Sequence, residues 1–62
     1  MLKTFVLIAY LASGHAFTID YDLTGADCIA FLLAMSEADA IEIEPGNVVP
    51  VESVTLACEL SK

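Results

Sequence analysis

Most apolar positions in this chain alternate with polar ones, and one run does not. From Thr4 to Ala12 (Phe5, Val6, Leu7, Ile8, Ala9, Tyr10 and Leu11 between them) the chain is apolar on both faces of any strand and all round any helix. As a strand from about Lys3 to Ala12, it sets Phe5, Leu7, Ala9 and Leu11 on one side and Thr4, Val6, Ile8 and Tyr10 on the other. A tight turn at Ser13-Gly14 returns the chain as a second strand, about His15 to Tyr21. There Phe17, Ile19 and Tyr21 alternate with Thr18, Asp20 and Asp22, one face for a core and one for water.

The period then changes. Thr24 is a good N-cap, and Asp27 three residues later resembles a capping box and suits the positive end of a helix dipole. A helix to about Glu37 puts Cys28, Phe31, Leu32 and Met35 on one face, with Ile29 and Leu33 beside them. Such a stripe reads as a core face rather than a cofactor pocket. Ala40 to Glu44 alternates again as a third strand, and Pro45-Gly46-Asn47 is a turn with proline and glycine in their usual places. Val48 to Val51 is a short fourth strand that Pro50 confines to an edge or a bulge. In a fifth strand, Val54 to Leu60, the residues Val54, Leu56, Cys58 and Leu60 face the helix, while Thr55, Ala57 and Glu59 face away. The expected fold is a single α+β domain over residues 1–62, ordered ββαβββ, with a mostly antiparallel sheet and one helix packed on one face.

On such a sheet the polar partners gather on the open face: Thr18, Asp20, Asp22, Glu42, Glu44, Thr55 and Glu59. The first strand has no polar side to offer. Whichever set packs under the helix, the other forms a bulky apolar ridge, either Val6, Ile8 and Tyr10 or Phe5, Leu7 and Leu11. That ridge is expected to be buried in a homodimer or against a target protein.

The same run has a competing reading. Met1-Leu2-Lys3, the apolar run and the small residues up to Ala16 look like a secretory signal cut after Ala16. The β-branched and aromatic content and the Ser13-Gly14 turn favour the strand, and the run is too short to span a membrane as a helix.

Composition sharpens the picture. With 58% apolar residues in 62, more apolar surface exists than so small a core can hide, which again points to a partner. Nine Asp and Glu against two lysines give a net charge of −7 and leave no basic patch. Direct nucleic-acid binding and attraction to a membrane surface are therefore not expected, whereas a basic protein surface is a natural partner. A row of strand carboxylates can also imitate phosphates and occupy a basic nucleic-acid groove.

Candidate chemistry is sparse. His15 is the only histidine and sits beside a turn. Cys28 in the first helical turn could have its thiol activated by the dipole, but Asp27 beside it opposes a thiolate and no oxyanion motif is present. Cys28, Cys58 and His15 lack the paired spacing of structural zinc sites. A Cys28–Cys58 disulfide joins two side chains expected in one helix–sheet layer, and on the chain-entropy model contributes about 3–4 kcal/mol. In a reducing cytosol the two would remain packed thiols. The pairs Asp20/Asp22 and Glu42/Glu44 lie two apart on strands, yet with no cleft around them they read as a solvated or partner-binding face. No catalytic residue, metal or cofactor is expected.

The Leu2-Lys3-Thr4-Phe5 opening, the Ala9-Tyr10-Leu11-Ala12-Ser13-Gly14 stretch, the Leu23-Thr24 and Asp27-Cys28 helix start and the closing Leu56-Ala57-Cys58-Glu59 resemble small acidic orphan proteins of bacteriophage genomes. That resemblance implies a context in which short acidic proteins inhibit host enzymes or defence systems stoichiometrically, anti-CRISPR proteins among them, in the cytoplasm of an infected host. The expectation is a non-enzymatic binding protein, with Asp20, Asp22, Glu42, Glu44 and Glu59 as the acidic partner face. The rival is a periplasmic or secreted disulfide-stabilised structural protein with residues 1–16 as its signal.

Overall fold

A strand apolar on both sides, with no proline in it, is suited to the middle of a sheet, and the first strand takes that place. The computed structural model describes residues 3–61; Met1, Leu2 and Lys62 lie outside it, as does the Met1-Leu2 part of the signal reading. The elements are β1 (Phe5–Leu11), β2 (Ala16–Leu23), α1 (Gly25–Ser36), β3 (Ala40–Glu44), β4 (Asn47–Pro50), a 3-10 turn (Val51–Ser53) and β5 (Val54–Leu60). The class is α+β in the expected ββαβββ order, and every strand pair is antiparallel.

The strands divide into two ladders, β2-β1-β5 and β3-β4, a partition that alternation alone does not report. Pro50 explains much of it. It ends β4 without an N–H to offer a further strand, and the next residue, Val51, instead donates to the Asp39 carbonyl at 3.1 Å. The 3-10 turn then carries the chain back to β5, which pairs along the whole of β1, from Phe5 opposite Leu60 to Leu11 opposite Val54. A chain beginning at Phe17 would lack the strand that holds β2 and β5 together.

Helix and hairpin both cover one face of the larger sheet. Leu7, Leu23 and Cys28 form one buried cluster with Phe5, Ile19, Leu32, Met35 and Cys58 packed on it. Ala9, Ile41 and Ile43 form the other, joined by Leu11, Phe17, Val49 and Leu56 among others. The register of β1 is thereby chosen: Phe5, Leu7, Ala9 and Leu11 go in. The helix begins as its sequence requires, with the Thr24 hydroxyl accepting from the Asp27 N–H at 3.1 Å. Across the β3–β4 turn, Gly46 takes φ +80°, the left-handed value that glycine adopts without strain. A disulfide joins Cys28 to Cys58 with their Cα atoms 6.1 Å apart, tying the start of α1 to β5.

Three inward assignments change, and the first is Leu60, expected to face the helix but 50% exposed at the end of β5 and part of neither cluster. Tyr21, expected in the core, is 71% exposed, and Leu23 takes the buried position instead. The cause lies in β2, whose pairing to β1 slips twice, so that Leu7 faces Asp20 while Ile8 faces Thr18. Between them and Leu23, Asp22 adopts φ +59°, a conformation that aspartate tolerates better than most residues. Phe31 is likewise 47% exposed, because only Cys28, Leu32 and Met35 of α1 pack on the clusters.

Candidate functional site

Alternation along β1 turns Val6, Ile8 and Tyr10 away from both buried clusters, onto the face that neither α1 nor the β3–β4 hairpin covers. All three are half-buried. Their cross-strand neighbours on β5 are Glu59, Ala57 and Thr55, and Thr18 on β2 lies across from Ile8. The face is thus an apolar stripe with threonines beside it and one carboxylate at its β5 side.

The stripe is organised by a hydrogen bond. The Tyr10 hydroxyl donates to a Glu59 carboxylate oxygen. Tyr10 is opposite Thr55 and Glu59 opposite Val6, so the phenol reaches past the Ile8–Ala57 row to meet its acceptor. That bond, reinforced by desolvation and by the negative charge of Glu59, holds the Tyr10 pKa above the usual tyrosine value.

The five carboxylates expected on one acidic face are not on one sheet. Glu59 stands on the open face of β2-β1-β5, whereas Glu42 and Glu44 belong to the separate β3-β4 ladder. Their oxygens serve the hairpin: Glu42 accepts from the Gly46 N–H and Glu44 from the Asn47 side-chain amide, both at 3.2 Å. Asp20 accepts from the next residue's N–H, that of Tyr21, at 2.8 Å. The slipped pairing and the left-handed Asp22 break the alternation that would have put Asp20 and Asp22 side by side on one face. Ladder membership is set by long-range pairing, and no local signal in the sequence carries it.

The cysteines are consumed by each other, so neither offers a thiolate. His15 closes the β1–β2 turn, its carbonyl accepting from the Leu11 N–H at 2.8 Å and its Nδ1 lying 3.0 Å from the Ser13 hydroxyl. Among the described residues no three His, Cys, Asp or Glu side chains are grouped to hold a metal ion, and no helix is long and apolar enough to cross a membrane. Apolar surface also remains on α1, where Ile29 and Leu33 are about half exposed.

Comparison with protein-family models, with characterised proteins and with solved structures finds no match to this chain.

Proposed function

We propose that this chain is a non-enzymatic binding protein whose open sheet face docks on another protein surface. The observation that carries this reading is the Val6, Ile8 and Tyr10 stripe, half-buried on an uncovered face and ordered at its β5 side by the Tyr10–Glu59 bond. A dry centre with a polar, charged margin is the anatomy of a protein interface. With a net charge of −7, the surface that suits it is basic, and electrostatic attraction would speed encounter. Stoichiometric occupation of a host or defence-system protein is the mode of action such a face supports, and a second copy of the chain could share the same stripe in a homodimer. The test pairs Ile8→Glu with Glu59→Lys. The first should abolish association while circular dichroism stays native; the second should weaken target binding and flatten its salt dependence. Full binding by both variants would remove the reading.

A second reading draws on the Cys28–Cys58 bond: a disulfide-stabilised structural protein of an oxidising compartment. Alkylation of the protein at the moment of isolation discriminates, since a protein kept in a reducing compartment would carry two modified cysteines.

A further inference from the structure

The outer edge of β5 and the groove beside it form a second surface, independent of the open face. Ser61 donates to the Thr4 carbonyl at 2.9 Å, which fixes the phase of the β1–β5 ladder. In an antiparallel pair the bonded residues alternate, so Thr55, Ala57 and Glu59 turn their backbone groups toward β1. The N–H and C=O groups of Leu56, Cys58 and Leu60 therefore point out of the sheet with the Val54 C=O, while the Val54 N–H donates to the Val51 carbonyl, and among the described residues no strand pairs with this edge.

Against that edge runs a groove of about 330 Å³, between Leu32 and Ser36 of α1 and Val54 and Leu56 of β5, with Val51 and Glu52 at its end. No residue of β1, β2 or β3 reaches it, which places it at the outer margin of the sheet. Outside the groove's lining, the disulfide ties the start of α1 to β5. A strand laid along β5 would bond to the outward groups of Leu56, Cys58 and Leu60 and drop every second side chain between helix and sheet. That is strand addition with an apolar groove for specificity.

We infer that this edge binds an extended segment of a partner protein, apolar at alternate positions and carrying a lysine or arginine at the Glu52 end. The charge requirement has two sources on one side: the Glu52 carboxylate and the negative end of α1, whose last turn holds no basic residue. Among the described residues no cation stands there. The only lysine among the described residues, Lys3, adjoins Thr4, at the opposite end of β5.

The experiment titrates the oxidised, isotope-labelled protein with acetylated, amidated peptides of alternating threonine and valine. One series ends in lysine at the amino end, one at the carboxyl end, and a control has glutamate in place of lysine. Expected is slowed amide exchange at Leu56, Cys58 and Leu60 but not at Thr55, Ala57 and Glu59, produced by one lysine peptide. Glu52→Gln should weaken it about two- to fivefold, the effect of one exposed charge pair, and Glu59→Gln should leave it unchanged. Equal binding of lysine and glutamate peptides, perturbation confined to Val6, Ile8 and Tyr10, or no binding would each overturn the inference. So would slowed exchange at the same three amides that grows with protein concentration in the absence of peptide, because the edge would then belong to a second copy.

Discussion

The Tyr10 phenol donates to the Glu59 carboxylate across the open face of the sheet, linking the central strand to its edge neighbour over 49 residues of chain. Because the bond needs the protonated phenol, ionising Tyr10 both breaks it and sets two negative charges together. The folded pKa lies above the unfolded one, so the contribution is complete below the ordinary tyrosine value near 10 and is lost as pH rises through the folded pKa. In a Tyr21→Phe background, where Tyr10 is the only reporting phenol, ultraviolet titration should show a raised midpoint that Glu59→Gln returns toward the ordinary value. An unchanged midpoint on that substitution would remove the bond from the account of this face.

Leu7 and Tyr21 both fall on inward positions of the sequence pattern, yet one is 1% and the other 71% exposed. Leu7→Ala should cost about 2–5 kcal/mol through the cavity it opens. Tyr21→Ala should stay within about 0.5 kcal/mol, as surface substitutions usually do. Denaturant titration of the two variants separates them, and equal losses would restore Tyr21 to the core.

Asp22 tests the slipped stretch of β2. With φ at +59°, Asp22→Ala should destabilise by about 1 kcal/mol, since a Cβ there meets the carbonyl without the local bonding that aspartate can offer. Asp22→Gly should be neutral or slightly stabilising at the same position. Thermal melts giving the reverse order would place Asp22 in an ordinary extended conformation.

Reduction of the Cys28–Cys58 bond, which closes a loop with a sequence separation of 30, should cost about 3–4 kcal/mol on the chain-entropy model. In a domain of 62 residues that is a large share of the total stability. Denaturant midpoints with and without reductant measure it. Coincident curves would mean that helix and sheet hold together without the bond.

The elements themselves were legible in the sequence, and the neighbours were not. Thr24 and Asp27 mark the helix start, Pro45 and Gly46 mark the hairpin turn, and alternation locates β3 and β5 because each residue there answers mainly to its own face. The separation of β3-β4 from β2-β1-β5 depends on which strands meet across the chain, so the carboxylates assigned to one acidic face came apart when the ladders did. Tyr21 left the core because one aspartate took a left-handed turn that no periodicity signals. The apolar second side of β1 was readable from the pattern along that strand, since a strand without a polar side must turn apolar atoms to whichever face the core leaves free.

On the proposed function, the open face is the surface that meets a partner. Site-specific photo-crosslinking measures it most directly, with a benzophenone side chain placed at Ile8 on the open face or at Leu33 on the exposed side of α1. Capture of a target or of a second copy from position 8, absent from position 33, is the expected result. Crosslinks from position 33 with none from position 8 would contradict it.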